Sequence, residues 1–293
     1  MVEERAERRR WGTEQRLEFI EFRLFWDGSV NRSDITDRFG VSTQQASTDL
    51  AQYRELAPDN IQYDPSGKRY LPMPTFRPQI LKPNAERYLA QLRALIEGVI
   101  ISADTWMSEP PDHGVTPIPA RRVDATTLRK LLEAIRQERS ISIEYQSMNE
   151  TRPDPLWREI TPHALGSDGL RWHVRAFCHM ENKFKDFIIS RFLKIGKMGN
   201  PLANAKDDVD WSTYFTVVLV PNPRLSVAQR KTIERDYGMK ENRCEVKVRR
   251  ALLYYFDKRL RLDIAEKQDR PKETPVVVSN RKDYDAALKE LSY

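Results

Sequence analysis

The hydrophobic period of this chain switches from helical to alternating at Ser140, and no other feature limits its fold as strongly. Ahead of that point Leu17, Ile20 and Leu24, then Leu92, Leu95 and Ile96 with Leu89, then Leu128, Leu131, Leu132 and Ile135 recur at helical spacing. From Ser140 on, Ile141, Ile143, Tyr145 and Ser147 point to one side, and Ser142, Glu144 and Gln146 to the other. The first spacing lays one stripe of a helix on a core; the second lays one face of a strand there. A chain that does both in succession folds as a helical part followed by a β part.

Further strands are expected over 157–162, 170–180 and 187–195, which makes 140–200 a small β unit. Strand and helix then alternate over 214–220, 226–237, 244–249, 252–260, 274–279 and 284–291, the order of a small α/β sandwich. Between the first helices and the β unit lies a helical linker, broken by a loop that carries Pro110, Pro111, Pro117 and Pro119. The expected fold is a multidomain α+β protein divided as 1–76, 77–139, 140–200 and 201–293.

Composition excludes several classes. With 40% hydrophobic and 31% charged residues, the chain can bury cores and solvate its surface, unlike a disordered or membrane protein. Its apolar run at 215–220 is far shorter than the ~20 residues that cross a bilayer. The charged start, Glu3-Glu4-Arg5 and Arg8-Arg9-Arg10, lacks the apolar stretch of a signal peptide, so a cytoplasmic location is expected. Cys178 and Cys244 stand 66 positions apart with no CxxC, which reads as two ordinary thiols; no cofactor and no metal are expected. A net charge of +6 permits a polyanionic partner, yet residues 1–76 hold 11 Lys+Arg against 13 Asp+Glu. Attraction to nucleic acid in that segment must come from local placement and not from bulk basicity.

Local placement there is suggestive. A helix ending at Asp27-Gly28 is followed by a short one from Arg32 or Ser33 to Phe39, stopped by Gly40. Ser42-Thr43-Gln44-Gln45 reads as a capping box opening a third helix, whose buried face is Ala46, Leu50 and Tyr53. Strands around Asp64-Pro65-Ser66-Gly67 make a hairpin with Lys68 and Arg69 at its tip. A helix fits the major groove, where Gln can pair with adenine and Ser or Thr can reach several bases, while tip cations meet phosphate. This winged helix-turn-helix offers Arg10, Arg32, Ser33, Ser42, Thr43, Gln44, Gln45, Ser47, Thr48, Lys68 and Arg69 as contacts to double-stranded DNA. The alternative is a three-helix bundle with a solvated polar face.

In the β unit, alternation puts Trp172, Val174, Ala176 and Cys178 on one face and His173, Arg175, Phe177 and His179 on the other. With Tyr145, Ser147, His163 and Arg191 the second face suits a pocket for an anionic or nucleotide-like ligand, because Arg forks onto phosphate and aromatic rings stack on bases. The competing reading is an exposed face that makes only surface contacts. A nucleic-acid-processing enzyme built on His163, His173 and His179 is disfavoured: His173 and His179 lie six apart on a strand, no acidic residue sits at a metal-ligand spacing, and HExxH, P-loop and GxSxG patterns are absent. No catalytic residue is assigned.

Arg158-Glu159-Ile160-Thr161-Pro162-His163, Trp172-His173-Val174-Arg175-Ala176-Phe177 and Ile189-Ser190-Arg191-Phe192 resemble the WYL domain of bacterial transcription regulators. Joined to a winged helix-turn-helix and a C-terminal extension, the whole is similar to the BrxR/CapW type found with phage-defence operons. The Trp-Tyr-Leu signature is here Trp172-His173-Val174. The resemblance implies a homodimer with an Sm/SH3-like β-barrel that senses a nucleotide or short nucleic acid, and a C-terminal α/β dimerisation domain. Its pocket residues fall on Tyr145, His163, His173, Arg175 and Arg191. The implied function is a repressor of its own defence operon that binds a pseudo-palindromic operator and is released by ligand. A constitutive DNA-binding protein with a purely structural barrel is the other reading.

Overall fold

Caps and glycines delimit the first helices. In the computed structural model, which describes residues 2–119, 121–150, 152–265 and 270–291 and side chains from Trp11 onward, α1 spans Val2–Phe22 and continues as a π-helical turn over Arg23–Asp27. Gly28 stops it at φ 73°, a left-handed conformation that disfavours any side chain. The second helix, α2 (Arg32–Phe39), opens on a reciprocal box in which Asn31 and Asp34 each accept the other's backbone N–H. Gly40, at φ 65°, then turns the chain toward α3 (Thr43–Leu56), which Ser42 caps by accepting the Gln45 N–H. The return half of the expected Ser42 box is missing. The Gln45 amide donates instead to Asp49 Oδ1 at 2.9 Å, a charged acceptor one turn ahead.

Ile20, Ile35, Ala46, Leu50 and Tyr53 close the core of these helices. The hairpin of β1 (Ile61–Asp64) and β2 (Arg69–Pro72) is tied to them by a bridge between Val30 and Tyr70. The first helix of the expected linker, α4 (Ala85–Ile96), packs on the same body: Tyr88 stacks on Trp26 at 4.5 Å, and Leu92 is buried against Phe22. Leu89 and Ile96, at the ends of its apolar stripe, stay exposed.

The chain divides into two compact units, 1–117 and 118–293. The second begins with α5 (Ala125–Arg136), whose Leu131 and Ala134 cover a five-stranded antiparallel sheet. Its strands are β3 (Ser140–Tyr145), β4 (Leu156–Ser167), β5 (Trp172–Cys178), β6 (Lys183–Ile188) and β7 (Phe192–Gly199), in the order β6-β5-β4-β3-β7. The strand expected over 187–195 is thus two strands, parted by a 3₁₀ turn at Ile189–Arg191. These are the two edges of the sheet, so a link of a few residues, reaching about 3.5 Å each, forces the sheet to curl until the edges approach. No ladder joins β6 to β7 among the described residues, so the unit expected as an Sm/SH3-like β-barrel is a curled sheet whose two edges are not sealed by hydrogen bonds.

The last part holds α6 (Val209–Ser212), β8 (Tyr214–Pro221), α7 (Val227–Asp236), β9 (Cys244–Arg249), α8 (Leu253–Arg259), α9 (Leu262–Ala265), β10 (Val276–Val278) and α10 (Arg281–Glu290). Its antiparallel sheet, β10-β8-β9, buries Val217, Leu219 and Val248 against Leu253, Leu262 and Tyr284.

Candidate functional site

Burial of one face of α3 defines what the other face can do. Ala46, Asp49, Leu50 and Tyr53 face the core, leaving Thr43, Gln44 and Thr48 exposed and Ser47 half-buried. The Ser47 and Thr48 hydroxyls donate back to the Thr43 and Gln44 carbonyls at 2.9 and 3.0 Å, so their oxygens are left to accept from outside. Gln45 is less free. Besides holding Gln45, Asp49 takes Arg16 of α1 through Nε at 2.6 Å and Nη2 at 3.2 Å. Ser42 uses its oxygen as the cap, and the Ser33 hydroxyl donates to Asn31 Oδ1 at 2.6 Å. Arg32, Lys68 and Arg69 are exposed, with Arg69 Nε 3.7 Å from Asp64. The side chain of Arg10 lies outside the described residues. Gln52, exposed four residues after Thr48, extends the outer stripe; its i, i+4, i+8 spacing from Gln44 was the overlooked signal.

The polar face of β5 is not an exposed surface, because His173 is 1% and Arg175 6% accessible. Arg175 grips Asp208 with a fork, Nε to Oδ2 at 2.7 Å and Nη2 to Oδ1 at 3.0 Å, and its Nη1 lies 3.5 Å from Asp186. On β4 a bulge between Pro162 and Ala164 leaves His163 out of register with β5, and its Nε2 sits 2.9 Å from Asp208 Oδ2. Burial pushes the Asp208 carboxyl up, but the hydrogen bonds from His163 and Arg175 outweigh it and hold the group at about 2. Arg175 and His163 are therefore committed to an internal carboxylate from outside the β unit.

Four of the six expected ligand residues, Tyr145, Ser147, His173 and Arg191, do line one cavity of about 350 Å³. Arg158, Arg171, Lys185, Asp186, Tyr254 and Tyr255 share its wall. Tyr145 is also core, edge-on to Phe187 at 5.2 Å, with its hydroxyl oxygen accepting the Ile188 N–H. His173 Nε2 faces Asp168 at 3.3 Å. Burial holds the His173 pKa below the usual imidazole value and so favours the neutral ring; with Nε2 donating to Asp168, Nδ1 is left as an acceptor. Among the described residues that nitrogen is buried without a partner, as is Arg158 Nε, although Arg158 Nη1 donates to Glu181 at 2.7 Å. Among the described residues the Arg191 guanidinium has no hydrogen-bond or ion-pair partner. A cationic wall with aromatic rings and orphaned buried nitrogens suits an anion that carries a planar, hydrogen-bonding body.

The three histidines do not converge: His163 meets Asp208, His173 meets Asp168, and His179 Nε2 lies 2.7 Å from Thr161 Oγ1. Among the described residues no three His, Cys, Asp or Glu side chains gather where they could hold a metal. Arg158 was legible within the Arg158–His163 motif, whereas Asp208, Tyr254 and Tyr255 come from beyond the β unit and left no local signal.

Residues 12–94 match the family model described as the BrxR transcriptional regulator winged helix-turn-helix domain, 126–196 the WYL domain, and 214–284 the BrxR transcriptional regulator C-terminal dimerization domain. The chain is 39% identical over 286 residues to a Stenotrophomonas maltophilia protein named DNA-binding transcriptional repressor CapW, covering 96% of this chain and 94% of that one. The chain belongs to the BrxR/CapW family. Family members of the same printed name from Escherichia coli (strain KTE188) and Pseudomonas aeruginosa are 37% identical over 281 residues and 39% over 272, covering 96% and 93% of this chain and 93% and 90% of theirs. On the BrxR/CapW frame, the winged-helix match runs through most of α4, in keeping with the packing of that helix on Trp26. Asp208 falls between the WYL and dimerization matches, and Tyr255 falls within the latter.

Proposed function

We propose that this chain is a homodimeric DNA-binding repressor whose operator affinity is set by a small ligand in the WYL unit. The observation that carries the reading is α3: a capped helix with Thr43, Gln44, Ser47 and Thr48 turned away from the core, followed by a hairpin with Lys68 and Arg69 at its tip, in a chain similar to proteins named as DNA-binding repressors. Thr43, Gln44, Ser47 and Thr48 read base edges; Arg10, Arg32, Ser33, Lys68 and Arg69 hold phosphates. Ser42 and Gln45 act chiefly by fixing the start of the helix. The functional division is 1–76 for DNA, 77–139 as linker, 140–200 as sensor and 201–293 for dimerisation.

Dimerisation through the C-terminal domain is supported by α7, in which no residue is buried, beside the outer sheet face of Val218, Val220 and Val277. That surface mixes Arg230, Lys231 and Arg243 with Glu234 and Glu241, a charge set that can complement its own copy across a two-fold axis. Two recognition helices in such a dimer read a pseudo-palindrome. The curled sheet serves as the Sm/SH3-like sensor of a nucleotide or short nucleic acid, a reading supported by the Arg158, Arg191 and tyrosine walls of the 350 Å³ cavity. Ligand that binds better to a dimer of unfavourable half-site spacing releases the operator. The gene controlled is the chain's own phage-defence operon, placing the protein in the cytoplasm, and it acts by binding rather than turnover.

Gel shifts on the DNA upstream of its gene test this. A sequence-specific shift that weakens steeply between 50 and 200 mM salt is expected. A shift that competitor DNA abolishes equally well, or none, refutes it.

A further inference from the structure

Helix α8 has two employments at once. On one side Leu253 is fully buried in the core of the β10-β8-β9 sheet, Phe256 packs against that core, and Asp257 accepts the hydroxyl of the buried Tyr284 at 3.1 Å. On the other side Tyr254 and Tyr255 are walls of the cavity in the WYL unit. A seven-residue helix packed this way moves as one rod, so a displacement of its tyrosines is a displacement of the dimerisation core.

Tyr255 is the anchored member of the pair. Its hydroxyl donates to Asp186 Oδ2 at 3.1 Å and its ring packs against His173 at 4.7 Å. Asp186 in turn lies 3.5 Å from Arg175, which forks onto Asp208. Asp208 caps α6 through the Trp211 N–H at 3.1 Å, so the same chain of contacts grips the C-terminal part at a second point. Within this network His173 Nδ1 is buried and unpartnered. An orphaned buried acceptor is costly, and a ligand that brings it an N–H or O–H recovers that cost. The nitrogen is sealed from solvent, so a ligand reaches it only by moving what packs around the imidazole, and Tyr255, whose ring packs against it, belongs to the dimerisation domain.

We infer that Tyr255 is the positioning residue through which occupancy of the WYL cavity is reported to the dimerisation domain: its contacts with Asp186 and His173 hold the ligand-free, operator-binding geometry, and ligand breaks them. The inference rests on the repressor reading above. Its ligand is recognised at the other walls, by Arg158 and Arg191, and Tyr255 is displaced rather than bound.

The test uses the full-length protein without ligand and operator DNA at fixed salt. Tyr255→Phe removes one hydroxyl and keeps the ring; Tyr255→Ala removes both contacts. Both variants, folded and dimeric, are expected to bind operator at least about fivefold more weakly than wild type, the lower range of an allosteric coupling. A role in stability alone would lower the melting temperature without moving the affinity of a folded dimer for DNA. Should Tyr255→Ala fail to fold, Tyr255→Phe decides. Folded variants that bind less than about fivefold more weakly than wild type, or tighter, overturn the inference and leave the repressor reading standing. If wild type itself shows no specific shift, the repressor reading has failed and takes the inference with it.

Discussion

Replacing Asp208 by Asn gives the most direct access to the buried network. Asp208 is 1% accessible and accepts the Arg175 fork at 2.7 and 3.0 Å, His163 at 2.9 Å and the Trp211 N–H at 3.1 Å. Breaking a buried ion pair by removing one charge costs roughly 3–5 kcal/mol, because the other charge stays behind. Arg175 keeps Asp186 at 3.5 Å, which places Asp208→Asn at the lower end, about 3 kcal/mol. At roughly 2–4 °C per kcal/mol, the second unit should melt about 6–12 °C lower. Calorimetry reads the melting shift, and urea titration followed by tryptophan fluorescence reads the free energy, with Trp211, whose ring lies 6.0 Å from His163, among the reporters.

The pH dependence supplies an independent sign. With its folded pKa held at about 2 against an ordinary 3.8, Asp208 stabilises fully above pH 3.8, and that contribution is lost as pH falls from about 4 through about 2. The displacement corresponds to about 2 kcal/mol, less than the mutational cost because the latter also strands Arg175. Asp208→Asn should lose this portion of the acid decline, and adding Arg175→Met should restore part of the stability at pH 7. A loss under about 1 kcal/mol at pH 7, or an unchanged acid profile, refutes the account of a buried network held by this carboxylate.

Other outcomes follow from the same geometry. His173 has a folded pKa below its ordinary 6.5, so the unfolded chain takes the proton first and stability declines as pH drops below about 6.5; His173→Gln should flatten that decline in denaturation curves at pH 5–7. Gln44→Ala should relax sequence preference at one base position at a cost of about 1–3 kcal/mol, whereas Lys68→Ala should weaken all DNAs alike and reduce the salt slope by about one, as anisotropy titrations would read. Arg191→Ala should raise the concentration of mononucleotide needed to release operator by about tenfold, in line with the loss of one charge-assisted hydrogen bond. An unchanged release curve would show that the cavity is not where the anion binds.

Much of the fold was legible because it rests on local signals. Gly40, the Ser42 cap and the Ala46, Leu50, Tyr53 spacing placed the helix-turn-helix within a residue or two, since helix ends are decided by neighbouring backbone groups. The 3₁₀ break at Ile189–Arg191 was not legible, because Ile189-Ser190-Arg191 holds no Gly, Pro or cap to mark a chain crossing from one sheet edge to the other. Gln45 illustrates the middle case: its spacing from Ser42 fitted a capping box, and a buried Asp49 claimed the amide.

For the pocket, alternation along β5 correctly gathered His173 and Arg175 on one face and could say nothing of what lay over it. Asp208 and Tyr255, 33 and 80 positions from Arg175, decide whether those side chains are free, and sequence distance holds no record of that. The amino-acid sequence by itself determined the elements, their order and the family motif, because hydrophobic period and capping are local properties. Only the tertiary structure decided that the polar face is a sealed network with a cavity beside it, because the charges that satisfy a buried arginine arrive through space.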